Sequence, residues 1–157
     1  MHKIADSVDA VRVGRCALRC VALMIAAVVS AQQSDSVEGI WVNGDGDGWI
    51  ELRVSGDELQ GRIIGSPDDP GDLQTSRLDV ENPDEALRTR ELRGALILSG
   101  FKSDGDGRWS GGKVYDPNSG NTYKGTITVV DATTLRLRGY ILFSLFGRTE
   151  VWRRRVE

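Results

Sequence analysis

The chain has 157 residues, with 20 Lys and Arg, 23 Asp and Glu, one His and a net charge of −3. Mild acidity of mixed sign excludes a surface built to track a phosphate backbone, so no nucleic-acid partner is expected. His2, Cys16 and Cys20 all precede residue 32, and residues 32–157 hold no imidazole or thiol; this excludes a cysteine nucleophile, a Ser-His-Asp triad and histidine-bound zinc there.

In chain order, the first element is an export signal over residues 1–31, predicted to be cleaved. Arg12, Arg15 and Arg19 form its positive n-region, and Cys20 to Val29 its apolar h-region. Val29-Ser30-Ala31 supplies the small residues that signal peptidase reads. That apolar run is too short to span a bilayer, which takes about 20 residues, so no transmembrane segment is expected after cleavage. Arg19 also puts a charge where a lipobox before Cys20 wants a small residue. Asp6 and Asp9 suit an n-region poorly, which points to a translation start at Val11 or Val13. Export without cysteine pairing places the product in the periplasm, or outside the cell.

Residues 32–157 amount to one domain, and they alternate with the period of strands. Trp49 to Val54 sets Ile50, Leu52 and Val54 on one face, against Glu51 and Arg53 on the other. The same pattern recurs over 57–64, 122–130, 134–143 and 148–154, with shorter candidates at 39–42, 95–98 and 108–115. Turn signals separate them: Asn43 to Gly48, Ser55-Gly56-Asp57, Asp104 to Gly107 and Asp116 to Gly120. A long polar loop from Ser66 to Asp79 leads to Asn82-Pro83-Asp84, where a capping Asn and a following Pro predict a short helix near 83–90. Eight short strands with short links predict an all-β fold, a small antiparallel up-and-down β-barrel with one short helix insertion.

Several segments together carry a resemblance. They are Asn82-Pro-Asp with Leu87-Arg-x-Arg90, Leu98-Ser-Gly-Phe-Lys102, Asp106-Gly-x-Trp109, Gly112-Lys-Val-Tyr-Asp-Pro117, Gly120-x-x-Tyr123, Gly139-Tyr140, Gly147-Arg148 and Trp152-x-Arg154. As a set they resemble the bacterial exported family called domain of unknown function 2147, over about residues 37–155. The resemblance implies an envelope protein with a lipocalin-like barrel and carries over no catalytic residue. A looser one joins it: Gly39-x-Trp41 is similar to the opening of calycin barrels, where the Trp packs on the barrel floor against a basic residue of the last strand. Arg153, or alternatively Arg148, is the expected partner for a cation–π contact with Trp41.

A barrel of about eight strands is either filled by its side chains or holds one small ligand. The inward set is expected to include Ile127, Val129, Leu135, Leu137, Gly139, Ile141 and Phe143. Gly112, Gly125 and Gly139 within strands read either as bends or as room left for a ligand. Trp109, Tyr115 and Tyr123, flanking the Asp116–Gly120 turn, are the aromatic candidates for a binding mouth. The candidate ligand site is therefore Trp109, Tyr115, Tyr123, Gly139, Ile141 and Phe143, with Gly39, Trp41 and Arg153 as the floor. Phe143-Ser-Leu-Phe146 is an apolar link where polar residues are the rule, and so either a plug for one barrel end or an exposed partner or ligand contact. Asn43-x-Asp45-x-Asp47-Gly48 matches half of a calcium loop but has Val54 where the bidentate Glu belongs, so a hairpin turn is expected and no metal. Lys102, Lys113 and Lys124 offer no spacing that selects a base, and Arg153-Arg154-Arg155 reads as a solvated strand end. The chemistry favours a binding protein for a small, mostly apolar molecule, without cofactor or catalytic residues. The alternative is an envelope interaction module that acts through its surface.

Overall fold

The structure, a computed structural model, describes residues 36–68, 77–141 and 147–156. The expected signal segment and the Phe143–Phe146 link lie outside the described residues. Eight antiparallel strands form a closed barrel in sequence order: β1 (Gly39–Val42), β2 (Trp49–Ser55), β3 (Glu58–Gly65), β4 (Leu96–Gly105), β5 (Arg108–Asp116), β6 (Asn121–Asp131), β7 (Thr134–Tyr140) and β8 (Gly147–Arg154). Every strand expected from the period-two pattern is present. β4 runs much further than its apolar start, because Lys102 to Gly105 carry on the ladder with β5 on an exposed hairpin arm. β7 stops at Tyr140, short of the expected Phe143. Among the described residues no helix is long and apolar enough to cross a membrane.

The insertion after β3 is a correction. Instead of a helix over 83–90 there is one 3-10 turn, Glu85–Leu87, capped by Asp84, whose carboxylate accepts from the Ala86 N–H at 3.0 Å. Asn82, the expected cap, is buried; its Oδ1 accepts from the Asp84 N–H at 2.9 Å while its amide turns toward the barrel. Pro83 and two such local acceptors hold the backbone in turns rather than letting a helix propagate.

The two barrel ends differ. At the end carrying the β2–β3, β4–β5 and β6–β7 turns, the interior is packed solid: Trp41, Leu52, Leu59, Leu98, Phe101, Ile127, Leu135 and Trp152 are all buried. Phe101 accounts for two of the strand glycines. A Cβ on Gly112 would fall inside the Phe101 ring, and one on Gly125 would meet its Cζ at 2.8 Å. These glycines are therefore seats for a large side chain, not space for a ligand. Gly139 is different: a Cβ there would make ordinary contact with Tyr123 at 3.7 Å, on the open side.

The floor is sealed by Arg154, and this corrects the expected Arg153. The Arg154 guanidinium lies 4.3 Å from the Trp41 ring centroid and donates to the carbonyls of Ser36, Glu38 and Ala132. Arg154 pairs with Trp41 across the β1–β8 ladder, so the two share a face; Arg153, one residue earlier, points outward and donates to Thr134 Oγ1. Gly39, at φ +130°, leaves the space into which the guanidinium reaches, since a Cβ there would strike Arg154 Nη1. The spacing of Gly39 and Trp41 thus serves one cation: the glycine admits it and the indole carries it. The Trp41 Nε1–H is satisfied separately, by the Val37 carbonyl at 2.9 Å.

Candidate functional site

The opposite end carries the Asn43–Gly48 loop, the segment between β3 and β4, and the Asp116–Gly120 turn. There the interior opens into two adjoining lobes of about 310 and 410 Å³. Val114, Leu137, Asp116, Arg148 and Glu150 line both. Ile50, Ile63, Leu92, Ile97 and Trp152 complete the apolar wall of the first lobe, under a rim that includes Asp45, Arg77 and Asn118. Tyr123, Gly139, Tyr140 and Ile141 complete the second. Trp152 is the base on which the packed half ends and the cavity begins.

The last strand brings charge into this interior. Arg148, Glu150, Trp152 and Arg154 alternate on the inner face of β8, opposite Gly139, Leu137 and Leu135 of β7. The Glu150 side chain is 29% exposed, and its Oε2 accepts from the Trp152 Nε1–H at 3.1 Å. Gly44 lets the first loop close on its stem, since a Cβ there would lie 3.2 Å from Glu150 Cβ. Arg148 is 75% exposed and stands 3.6 Å from Asp45 and 4.0 Å from Glu150.

The residues expected from the sequence divide. Tyr123 and Gly139 line the second lobe, with Ile141 at its mouth, where it is 62% exposed. Tyr115 lines the first lobe. Trp109 belongs elsewhere: it pairs with Ile127 near the closed end and packs against the solid core. Six positions along an extended strand separate it from Tyr115, roughly 20 Å, too far to share a mouth. Phe143 lies outside the described residues. Glu150 joins the site without having been expected there, and Asp79, Asn82 and Arg90 stand behind it, in contact with Tyr115. Glu150 carries a signal in the sequence, since it has the same parity as Trp152 on the last strand; the other three depend on how the insertion folds back.

That fold-back is held by one polar cluster. Asp79, fully buried, accepts from Tyr115 Oη at 2.5 Å, from Asn82 Nδ2 at 2.7 Å and from Arg90 Nε at 2.9 Å. The Arg90 Nη2 adds an ion pair at 2.7 Å, and its guanidinium lies 5.7 Å from the Tyr115 ring centroid. Asp79 and Arg90 are also joined through their backbones, from the Asp79 N–H to the Arg90 carbonyl at 3.0 Å. Burial pushes the Asp79 carboxyl up, but the hydrogen bonds from Tyr115, Asn82 and Arg90 outweigh it and leave the acid below its usual range. Burial and the neighbouring Asp79 carboxylate together push the Tyr115 phenol up to about 12. A phenol raised in the folded state stabilises the fold fully below its unfolded pKa near 10, and that contribution is lost as the pH climbs toward 12. Tyr115→Phe should therefore flatten the fall in stability across this window by on the order of 2 kcal/mol, read as the urea midpoint at pH 9 and pH 11.5. An unchanged alkaline slope would mean that Tyr115 does not meet Asp79.

The acidic glycine loops are turns. Asn43 Oδ1 accepts from the Gly48 N–H at 2.9 Å, and its amide donates to Asp47 Oδ1 at 2.6 Å. Asp106 and Gly107, at φ +50° and +70°, form the two-residue link of the β4–β5 hairpin.

A closed eight-stranded barrel with one sealed end and one open, cavity-bearing end is a lipocalin-like barrel. The chain belongs to the family of uncharacterised proteins conserved in bacteria known as DUF2147, whose model matches residues 39–154. Among solved structures it is similar to protein HP1028 from the human pathogen Helicobacter pylori, described as belonging to the lipocalin family. The two are 22% identical, with a TM-score of 0.69 over 78% of this chain and 84% of that one. Among curated proteins, none matches the sequence.

Proposed function

We propose that this protein is an exported carrier or sensor that binds a small, mostly apolar molecule in the open half of its barrel. The observation that carries the reading is the two-lobed cavity, with Val114 and Leu137 in the walls of both lobes and Glu150 between them, above a core that is otherwise filled. A binding role rather than a catalytic one is supported by the buried acid Asp79 and the phenol Tyr115, whose pKa is raised. They spend their hydrogen bonds on each other and on Asn82 and Arg90. The periplasmic location rests on the n-region, h-region and cleavage pattern of residues 1–31. Detection of the processed chain in a periplasmic fraction, at the mass expected for cleavage after Ala31, checks it.

Gly139 provides the test of binding. Its backbone is one that any residue adopts, and a side chain there would grow into the second lobe. The purified protein should bind the uncharged fluorophore N-phenyl-1-naphthylamine, and Gly139→Leu should weaken that binding roughly tenfold or more. The thermal midpoint of the variant should match that of the parent. No binding by the unaltered protein, or equal binding by the variant, would sink the carrier reading.

A further inference from the structure

We infer that the cavity selects a ligand bearing an ammonium group on an apolar body, with Glu150 as its counter-ion; this rests on the carrier reading above. Glu150 is the acidic side chain that the inner face of β8 places between both lobes, opposite Leu137 and above Trp152. Its Oε2 is engaged by the Trp152 indole, which fixes the carboxylate's orientation. Its Oε1 has no donor within hydrogen-bond distance among the described residues; Arg148 Nε stands at 4.0 Å, well beyond the 2.7–2.9 Å typical of a charge-assisted bond. Arg148 is mostly in solvent and divides its charge with Asp45, so it covers the carboxylate poorly.

A carboxylate beside apolar walls and short of donors is an incomplete ion pair, and an incoming N–H donor of positive charge completes it. The second lobe suits such a group for another reason. Tyr123, inward on β6 beside Gly139, lines it together with Glu150, and an aromatic face attracts a desolvated cation. The remaining acid of that lobe, Asp116, is spent on its own turn: it accepts from the Asn118 N–H at 3.0 Å and from Ser119 Oγ at 2.6 Å. Among the basic rim groups of the first lobe, Arg77 donates to Asn118 Oδ1 at 3.1 Å, so it too is occupied within the protein. Val114 and Leu137 then receive the apolar body of the ligand.

The test uses three probes of one chain length, decylammonium, decanol and decanoate, each displacing N-phenyl-1-naphthylamine from the purified protein at pH 7. Decylammonium should displace it at roughly tenfold lower concentration than decanol, because its positive charge adds ion-pair attraction to the hydrogen bond that a hydroxyl can also give the carboxylate. Decanoate should be the weakest. Glu150→Gln keeps the shape and the Trp152 contact while removing the charge. It should bring decylammonium down to the value for decanol, while decanol, which loses no ion pair, weakens much less than decylammonium. Equal binding of all three, or preference for decanoate, overturns the inference while the carrier reading stands. Loss of decanol along with decylammonium in Glu150→Gln would assign Glu150 to the architecture of the barrel and overturn it too. If the fluorophore itself is not bound, the carrier reading falls and this inference with it.

Discussion

Replacing Phe101 with alanine should lower the stability of the barrel by about 3–5 kcal/mol, a loss read directly from the urea midpoint. Phe101 is wholly buried, and its ring occupies the space above two glycines on neighbouring strands, Gly112 and Gly125. Removing it leaves a void bounded by backbone, which relaxes little. The converse change has a cost of its own. Gly112→Ala drives a methyl into the ring and should destabilise by about 1–3 kcal/mol through overpacking. In the double variant that methyl has nothing to strike, so Gly112→Ala should be neutral or favourable on the Phe101→Ala background. A coupling of about 1–3 kcal/mol between the two sites is the result expected. Additive effects would mean that the ring lies elsewhere.

Asp79→Ala should release the segment that runs from Arg77 to Leu92 and cost about 2–4 kcal/mol, because the half-buried Tyr115 Oη loses its acceptor and the buried Asn82 Nδ2 keeps only Tyr115 Oη of its two, where an unmet donor costs about 1–3 kcal/mol. Arg90, a third exposed, recovers part of its hydration and adds less. Amide hydrogen exchange should locate the change. Protection at Asp79, Asn82 and Leu92 should fall, because their N–H groups donate to carbonyls within this segment, while β6 and β7 keep theirs. Asp79 also sets the response to acid. Its carboxyl is held below the unfolded value near 3.9, so its contribution is present above that pH and lost as the pH falls through the lower folded value. Asp79→Asn should accordingly be less stable near neutrality yet lose less on acidification below pH 4. A variant that unfolds as steeply as the parent in acid, with the segment still protected, would contradict the cluster's role. Because Arg77 and Leu92 line the first lobe, the same substitution should also widen the cavity mouth.

Much of the fold is legible in the sequence, and particular residues show why the rest is not. The strands are legible because alternation is local: Ile50 and Leu52, or Leu135 and Leu137, declare their face within a few positions. The floor partner lies one residue from its expected place, and in a strand one residue is a change of side, which turns Arg153 outward and Arg154 onto Trp41. Trp109 shares a strand with Tyr115, which suggests a common site, yet the barrel sends the two ends of that strand to opposite poles. The glycines are ambiguous for a different reason. What fills the space over Gly112 and Gly125 is Phe101, a side chain from another strand, and no local pattern reports a contact across the interior. The Asp79 cluster joins residues up to 36 positions apart, so along the chain its members look like a solvated loop. Of the unexpected site residues, Glu150 alone can be found by counting, two positions back from Trp152.

The clasp between the ends of the barrel has a kinetic meaning. β1 meets β8 through two register pairs, fewer than any other neighbouring strands share, and Arg154 reinforces that seam by holding the Glu38 carbonyl at a separation of 116 positions. Hairpins between consecutive strands cost little chain entropy to close and can assemble in any order. The seam cannot: a chain emerging from its N-terminus must wait as an open, curling sheet until Arg154 arrives.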